Sequence, residues 1–326
     1  MKAIVLHEPG GPEALRLQEI PVPEADAGQV LVRTEAIGVS FHETLMRAGV
    51  FPMPSGPPAT FGFEAVGVVT AVGDEVDAGL IGQRVFVMYG GGGQFGSGTY
   101  AEYCTAPVAT LTPIPEDLPG PDALTLGVQG AVALALFHTA GLTGAENVLI
   151  EVAGSGIGAY LTQLVRDRGA HRIVATAGTS AKRDRAKALG ADVVVDHTDP
   201  AWPEQVRAAL GAERLDLVFE SLGGPGTELL DTLTPGTGRI LLYGLLNGAP
   251  DYTPLDLLIR GLTVVGCGGL TGWADRVAAA RTEAFALASA GLLTPLIEEV
   301  LPLAAAAEAH RRLENRTATG KLVLVP

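Results

Sequence analysis

The stretch Val148-Leu149-Ile150-Glu151-Val152-Ala153-Gly154-Ser155-Gly156-Ile157-Gly158-Ala159 decides the fold of this chain. It predicts an apolar strand, then a turn of small residues, then the start of a helix. Backbone N–H groups at such a turn, with the helix dipole behind them, attract the pyrophosphate of a dinucleotide. We therefore expect the chain to bind a dinucleotide and to be an oxidoreductase. The residues predicted to contact the pyrophosphate are Ser155, Gly156, Ile157 and Gly158.

The small residues of this turn fit two registers of the dinucleotide motif, G-x-G-x-x-G/A. One register begins at Gly154 and ends at Ala159, and the other begins at Ala153 and ends at Gly158. Both place small residues where a larger side chain would hold a phosphate away from the backbone. The sequence leaves the choice of register open.

The region beyond the turn bears on the choice between NAD and NADP. An enzyme that prefers NAD usually has an Asp or Glu about 20 residues after the turn, on the ribose hydroxyls. Here residues 176–183 contain hydroxyls and cations, and no acid occurs before Asp184. Such groups suit the 2′-phosphate of NADPH, and we expect Thr179 and Lys182 beside it. The alternative is that the basic residues form a solvated helix face.

Composition restricts the class of protein. The chain has 326 residues, enough for two domains, and 47% are hydrophobic. A formal net charge of −14 disfavours binding to nucleic acid or to an anionic membrane surface. With Cys104 and Cys267 as the only cysteines, we expect neither a disulfide framework nor a cysteine-built zinc site. No signal peptide is apparent, and no uncharged apolar run approaches the roughly 20 residues of a membrane span. We therefore expect a cytoplasmic protein.

The pattern along the chain changes near Pro121. The first third alternates short β-rich runs with Pro and Gly turns, which predicts a compact β-barrel-like domain. Beyond it, strands and helices alternate, which predicts a doubly wound parallel sheet and an α/β fold. The final predicted strand, Lys321–Val325, follows two helices and is expected to return to the first domain.

Four further motifs resemble those of the zinc-independent quinone oxidoreductase branch of the medium-chain dehydrogenases/reductases. The motifs G-x-E-x-x-G-x-V-x-x-V-G, G-x-Y-A-E-Y, V-x-D-x-x-G-G and a closing G-K-hydrophobic run correspond to residues 62–73, 98–103, 218–224 and 320–324. Glu220 stands at the acidic position of the third motif. The resemblance covers nearly the whole chain.

This resemblance implies a fold and an activity. It implies a GroES-like β-barrel catalytic domain over 1–121 and 269–326, with a Rossmann NADP(H)-binding domain over 122–268 between them. It implies NADPH in the cleft and a homodimer paired through the Rossmann sheets. It further implies hydride transfer to a quinone or an α,β-unsaturated carbonyl compound. Backbone near Leu245 and Cys267 is expected at the nicotinamide, and His197 at the adenosine phosphate.

The same resemblance predicts that no metal is bound. The zinc alcohol dehydrogenases have Cys where this chain has Ser40 and His where it has Phe63. Neither residue is a zinc ligand, and the remaining Glu64 alone does not hold zinc. The four-cysteine structural lobe is missing, because Cys104 is the only cysteine in that region. We interpret Glu64 as a structural carboxylate that holds backbone or an arginine such as Arg47.

The catalytic candidates are Ser40, His42 and Tyr89. The quinone oxidoreductases often have Asn at the position of Ser40, Tyr at that of Leu45 and Thr at that of Val132, so the usual polar groups are altered. Ser40 is a possible donor to the substrate carbonyl, and His42 a proton donor near neutral pH. Tyr89 precedes a run of glycines that would suit a lid. The alternatives are a histidine that only bonds within its loop and a tyrosine packed on the barrel.

Two other functions are compatible with the sequence. An enoyl-thioester reductase of fatty acid or polyketide biosynthesis would use the same hydride chemistry. A dinucleotide-binding scaffold or sensor with little redox activity would explain the altered polar positions.

Overall fold

The computed structural model describes residues 1–51, 57–88, 98–224, 226–268 and 272–326. In these ranges the β-strands are β1 (Lys2–Leu6), β2 (Leu15–Glu19), β3 (Gln29–Val39), β4 (Ala59–Thr60), β5 (Glu64–Val72), β6 (Arg84–Met88), β7 (Tyr103–Pro107), β8 (Thr112–Pro113), β9 (Asn147–Ile150), β10 (Arg172–Thr176), β11 (Val193–Val195), β12 (Leu217–Glu220), β13 (Arg239–Leu242), β14 (Thr263–Gly266), β15 (Ile297–Pro302) and β16 (Lys321–Val325). The α-helices are α1 (Phe41–Arg47), α2 (Gly120–Thr125), α3 (Ala131–Ala140), α4 (Gly156–Asp167), α5 (Ser180–Ala188), α6 (Trp202–Leu210), α7 (Thr227–Leu230), α8 (Pro254–Arg260), α9 (Trp273–Ser289) and α10 (Ala306–Glu314).

The chain divides into two compact units. The terminal unit comprises Met1–Val128 and Arg281–Pro326, and the central unit comprises Gln129–Ala280. The domain limits predicted from the sequence lie after residue 121 and before residue 269, whereas residues 122–128 pack within the terminal unit and 272–280 within the central one. The assignment of residues 1–121 and 269–326 to a catalytic domain and of residues 122–268 to a cofactor-binding domain stays a prediction.

The terminal unit is built mainly from antiparallel strands around β3. One sheet has the order β15-β16-β3-β5-β6-β8, with β7 also paired to β3, and a smaller sheet has the order β2-β1-β4. The last strand, β16, pairs antiparallel with β3, with Val323 opposite Gly38. The predicted return of the final strand to the first domain is therefore confirmed.

The pairing of β3 with β5 requires a glycine. A Cβ on Gly67 would collide with the carbonyl oxygen of Arg33 on the neighbouring strand. The register also shifts between Leu31 and Val32. Such a bulge increases the local bend of a strand, which helps a sheet to curve around a core.

A buried ion pair joins β5 to the last strand. Lys321 Nζ donates to Glu64 Oε1, and the two residues are only 4% and 1% exposed. The interpretation of Glu64 as a structural carboxylate agrees with this contact, but the partner suggested from the sequence is wrong. Arg47 instead forms an ion pair with Glu314. The chain end is thus fixed to the barrel by charge as well as by strand pairing.

The central unit contains a parallel six-stranded sheet in the order β11-β10-β9-β12-β13-β14. The predicted doubly wound parallel sheet is confirmed. The strand order reverses between β9 and β12, and in such sheets ligands bind outside the carboxyl ends of the strands at this switch point.

The helical segment formed by α2 and α3 is interrupted. α2 and α3 are joined by a π-helical turn, Leu126–Gly130, within the continuous helical stretch Gly120–Ala140. By length and composition, this stretch qualifies as a candidate membrane span among the described residues, although its apolar window is 67% buried inside the protein. The length and composition of this stretch are thus compatible with a membrane span, whereas the burial of most of its apolar window is typical of a core helix.

We predict that Lys321→Met destabilises the protein by about 3–5 kcal/mol, because it leaves the Glu64 carboxylate buried without its cation. Denaturant unfolding followed by circular dichroism measures the loss. Arg311→Met is the matched control, since Arg311 pairs with Glu308 at an exposed site, and such a pair contributes about 0–1 kcal/mol. Equal effects of the two substitutions would contradict a structural role for the buried pair.

Candidate functional site

The turn between β9 and α4 contains two residues with a left-handed backbone, Val152 and Gly156, each with φ of 55°. Glycine adopts this conformation readily, but a β-branched valine is strained there and needs support from its surroundings. Thr176 supplies that support. Its Oγ1 accepts the Val152 amide at 3.1 Å, and its carbonyl oxygen accepts the Ala153 amide at 2.8 Å. The end of β10 thus fixes the entrance to the turn.

Gly158 settles the register of the glycine motif. A Cβ at this position would lie 2.6 Å from the carbonyl oxygen of Val152 and 2.7 Å from that of Glu151. The last glycine of the dinucleotide motif has this function, because it lets the helix pack closely on the strand. The structure therefore adopts the register that begins at Ala153 and ends at Gly158.

The N-terminus of α4 presents backbone amides at the turn. The helix is 12 residues long, and its N-cap, Ser155, has an extended backbone and makes no side-chain capping bond. Ser155, Gly156 and Ile157 are half-buried, whereas Gly158 is buried. The first amides of a helix have no partner within it, and the helix dipole adds positive potential there. This arrangement suits an anion.

The first turn of α5, the helix that follows β10, lies directly against the glycine turn. A Cβ on Gly154 would lie 2.5 Å from the carbonyl oxygen of Lys182 and 2.6 Å from its Cβ. Thr179 is the N-cap of α5, and its Oγ1 accepts the Lys182 amide at 3.3 Å. The residues predicted for the pyrophosphate and two of those predicted for the 2′-phosphate are therefore neighbours.

Two further side chains of this region are engaged within the protein. Arg183 forms an ion pair with Asp196 at 2.6 Å, so part of the basic cluster is compensated. His197 Nδ1 lies 2.9 Å from Thr176 Oγ1, the hydroxyl that also accepts the Val152 amide. His197 thus reaches the glycine turn through one intervening side chain.

Glu151 spans the switch point between β9 and β12. It directly follows β9 and is 2% exposed, and its Oε2 accepts the amides of Ser221 and Leu222 at 2.7 Å each. Burial raises the pKa of Glu151 to about 8, although these two hydrogen bonds oppose the shift. On their other side, Ser221 and Leu222 accept the amides of Leu246 and Asn247 at 3.0 and 2.7 Å.

A second buried acid ends β12. Glu220 is 4% exposed, and its Oε2 accepts a hydrogen bond from the Tyr252 hydroxyl at 3.0 Å. Burial raises the pKa of Glu220. The switch point therefore contains two carboxyl groups that are each bonded to donors from a neighbouring loop.

Leu245 and Cys267 follow the carboxyl ends of β13 and β14. Leu245 is 54% exposed and Cys267 is 3% exposed. Cys267 lines a cavity of about 220 Å³ together with Thr139, Trp273 and Arg276. Burial raises the pKa of the Cys267 thiol to about 11, which keeps it protonated near neutral pH.

In the terminal unit, Ser40 lies where β3 ends and α1 begins. It is the N-cap of α1 in a capping box with Glu43, whose Oε2 accepts the Ser40 amide at 2.7 Å. In the described ranges, no acceptor takes the hydrogen of the buried Ser40 hydroxyl. This hydroxyl is available to donate to a ligand.

A buried polar network holds Glu43. The Tyr100 hydroxyl donates to Glu43 Oε2 at 3.1 Å and lies 3.1 Å from His310 Nε2 on α10. Burial raises the pKa of Glu43 to about 7 and lowers that of His310 to about 3. Tyr100 is fully buried. The network positions Ser40 through the Glu43 carboxyl group.

His42 lies on the exposed side of α1 among aromatic rings. Its ring centroid is 5.2 Å from that of Phe51 and 6.0 Å from that of Phe63. Phe41 and Phe51 are 46% and 44% exposed, so the imidazole stands in an accessible, largely apolar environment. The third catalytic candidate, Tyr89, lies outside the described residues.

The side chains present do not fit a zinc site. No group of three or more His, Cys, Asp or Glu side chains in the described ranges is arranged to hold a metal ion. Ser40 and Phe63 supply neither thiolate nor imidazole, and Glu64 is occupied by Lys321. Zinc prefers three or four Cys, His or carboxylate ligands, which this region does not offer.

Glu151 and Glu43 are absent from the candidates predicted from the sequence. Each had a local signal. Glu151 is a charged residue directly between an apolar strand and a glycine turn, and Glu43 stands three residues after Ser40, the spacing of a capping box. Their partners in other loops had no such signal.

Comparisons with known protein families match both parts of the chain. The family model described as an alcohol dehydrogenase GroES-like domain matches residues 26–116, and the model described as a zinc-binding dehydrogenase matches residues 156–284. Together with the parallel sheet, these matches confirm the predicted GroES-like and Rossmann-type architecture.

Individual relatives align over the full length. A quinone oxidoreductase of Sus scrofa is 31% identical over 329 residues, covering 100% of this chain and 98% of the relative. A 2-haloacrylate reductase of Burkholderia sp is 31% identical over 339 residues, covering 99% of this chain and 98% of the relative. The crystal structure of Escherichia coli quinone oxidoreductase complexed with NADPH is similar with a TM-score of 0.85 at 26% identity, covering 100% of both chains.

We predict that Gly158→Ala weakens dinucleotide binding at least tenfold and lowers the thermal midpoint. The added methyl group would meet two backbone carbonyls, which cannot move without displacing α4 from β9. Gly120→Ala is the matched control, since Gly120 also lies in the first turn of a helix and a Cβ there meets its nearest neighbour at an ordinary 3.4 Å. Titration with NADPH and thermal unfolding of both variants test the prediction. Unchanged binding by Gly158→Ala would contradict it.

Proposed function

Since the chain belongs to the quinone oxidoreductase branch of the medium-chain dehydrogenase/reductase family, we propose that it is a metal-independent, NADPH-dependent reductase of quinones or α,β-unsaturated carbonyl compounds. The observation that carries the proposal is the contact of the glycine turn with Lys182 in the first turn of α5, at one edge of a parallel sheet. It brings amides suited to a pyrophosphate beside a cation suited to a 2′-phosphate.

The proposed cofactor contacts all lie in the central unit. Backbone amides of the turn would hold the pyrophosphate, and cationic or hydroxyl side chains of the next loop would hold the 2′-phosphate. NADPH, when bound, supplies a hydride. In our proposal the pyrophosphate contacts are Ser155, Gly156, Ile157 and Gly158, the 2′-phosphate contacts are Thr179, Lys182 and His197, and the nicotinamide contacts are backbone groups near Leu245 and Cys267.

The proposed catalytic groups lie in the terminal unit. Reduction of a conjugated carbonyl compound places negative charge on its oxygen, and a positioned donor lowers the energy of that charge. Ser40 has a hydroxyl hydrogen for this purpose and is held in place by Glu43. His42 is accessible and is proposed to supply the proton that completes the reduction. Tyr89 stays a prediction as a third candidate.

The proposed substrate class rests on the chemistry shared by the relatives' names. Quinones and 2-haloacrylates both carry a carbon–carbon double bond conjugated to a carbonyl or carboxyl group. The aromatic rings around His42 would favour a flat, conjugated acceptor. No step of this reaction requires a metal ion, and we propose that none takes part.

An absorbance assay tests the proposed activity. The protein is mixed with NADPH and, in turn, a naphthoquinone, a 2-haloacrylate and an enoyl thioester, and the decrease of the nicotinamide band is followed. We expect oxidation of NADPH with the quinone or the haloacrylate. Faster turnover of the thioester would favour an enoyl-thioester reductase, and tight binding without any oxidation would favour a scaffold or sensor. Equal rates with and without EDTA are expected for a metal-independent enzyme.

Variants of α5 test the choice of cofactor in the same assay. Lys182→Ala is expected to raise KM for NADPH about tenfold and to leave KM for NADH unchanged, because it removes a charge-assisted bond to the 2′-phosphate. Lys187→Ala is the control, an exposed lysine of the same helix. An equal effect on both cofactors, or none, would remove Lys182 from the proposed 2′-phosphate site.

We also propose a cytoplasmic homodimer. β14 lies at the end of the strand order, and α8 exposes Leu255, Leu258 and Ile259 by 63%, 77% and 67%. A second copy would cover this apolar surface and continue the sheet. Both cysteines are buried free thiols, which suits a reducing compartment.

Leu258→Asp is therefore expected to shift the protein from dimer to monomer in sedimentation velocity, because it places a charge in the apolar contact. Leu17→Asp, an exposed leucine of β2, is the control and should leave the assembly unchanged. A wild-type monomer, or an unaffected dimer in the Leu258 variant, would contradict this interface.

A further inference from the structure

Glu151 has an unusual position for an acidic residue. It stands between an apolar strand and the glycine turn, at the point where the strand order of the central sheet reverses. Its carboxyl group is buried and is not used in the function proposed above. A leucine-sized apolar residue would fill this place without the cost of burying a polar group. A retained acid therefore calls for a specific contact.

That contact is made with backbone amides. Glu151 Oε2 accepts both the Ser221 and the Leu222 amide, at 2.7 Å each, from the loop after β12. The carbonyls of the same two residues accept the amides of Leu246 and Asn247 in the loop after β13. A Cβ on Gly244 would lie 2.9 Å from the Ser221 carbonyl oxygen, so these loops also pack closely. Glu151 Oε2 thus connects the turn after β9 to the loop after β12, and the carbonyls of that loop connect it to the loop after β13.

The main chain of Glu151 takes part as well. Its carbonyl oxygen is one of the two backbone oxygens that lie so close to Gly158 that a Cβ there would collide with them. The residue therefore contacts α4 through its backbone and the loop after β12 through its side chain. Displacing the carboxyl group would move both the turn proposed for the pyrophosphate and the loop proposed for the nicotinamide.

We infer that Glu151 is a positioning residue for the dinucleotide: its carboxyl group holds the turn after β9 and the loops after β12 and β13 in the spacing that NADPH requires. The inference rests on the proposed function, because it concerns the same cofactor. It adds that cofactor affinity is set by a residue that need not touch the cofactor.

The protonation state of the Glu151 carboxyl group also affects the affinity for a dinucleotide, because this group lies beside the turn proposed for the pyrophosphate. The ionisable groups facing it from the neighbouring segments are Glu220 on β12, Tyr243 after β13 and Tyr252 before α8. Burial raises the pKa of both tyrosines above their ordinary value, so they stay neutral below pH 9. With a pKa of about 8, Glu151 is mostly protonated at pH 7 and ionised at pH 9. The ionised form places a negative charge beside the turn proposed for a pyrophosphate, which disfavours an anionic ligand.

The test is the dissociation constant of NADPH, measured by its fluorescence with the full-length protein at pH 7 and pH 9. We expect Glu151→Leu to weaken binding about tenfold at pH 7, because both amides lose their acceptor. Glu151→Gln retains an acceptor oxygen and should bind within about twofold of wild type at pH 7. The wild type should weaken by up to about tenfold between pH 7 and pH 9, whereas Glu151→Gln should not.

Two controls separate positioning from general stability. Glu146→Gln alters a carboxylate that accepts backbone amides at the opposite end of β9 and should leave NADPH affinity and its pH dependence unchanged. Glu220→Gln should retain the pH dependence, which assigns the titration to Glu151. If Glu151→Leu does not fold, the pH profile of Glu151→Gln decides alone. Wild-type NADPH affinity in a folded Glu151→Leu variant at pH 7, or a wild-type pH dependence in Glu151→Gln, would overturn the inference. A wild type that binds no NADPH would overturn the proposed function and the inference with it.

Discussion

The close contact between Gly158 and the carbonyl oxygens of Glu151 and Val152 is the constraint on which the central unit depends. Because no side chain intervenes, α4 packs closely on the turn that follows β9, and its first amides stand at the switch point of the sheet. The missing side chain of Gly154 likewise lets this residue lie against the Lys182 backbone, so that the first turn of α5 contacts the glycine turn. The cost is a strained valine, Val152, whose amide donates a hydrogen bond to Thr176 Oγ1.

Both units use buried carboxyl groups to orient backbone rather than to carry charge. In the central unit, Glu151 accepts two amides of the loop after β12, and in the terminal unit, Glu43 accepts the amide of Ser40. Burial raises the pKa of each, to about 8 and about 7, so a substantial fraction is neutral near pH 7. A neutral acid accepts hydrogen bonds at a smaller desolvation cost than an ionised one. Glu64 follows the other solution, in which the buried Lys321 compensates its charge.

Much of the secondary structure could be predicted from the sequence, because the patterns that specify it involve residues close together in the chain. The strand Lys321–Val325 agrees with its prediction to the residue, since apolar periodicity depends on near neighbours. The register of the glycine turn was open, because both registers place small residues at nearly the same positions, and only the approach of α4 to β9 distinguishes them. The predicted partner of Glu64, Arg47, is wrong. The observed partner, Lys321, lies 257 residues away, and no sequence pattern near Glu64 specifies it. The role of Glu151 depends on the amides of Ser221 and Leu222, which lie 70 and 71 residues further along the chain. Because almost every residue has a backbone amide, the identity of the side chains there does not reveal these donors.

The central claim is that the amides between Ala153 and Gly158, together with the adjoining first turn of α5 at Lys182, form a site for a phosphorylated dinucleotide. Isothermal titration calorimetry of the purified, folded protein with NADPH and with NADH tests it most directly. The account predicts one saturable site for each copy of the chain, with NADPH bound at least tenfold more tightly than NADH. Absence of saturable heat with both nucleotides would contradict the account.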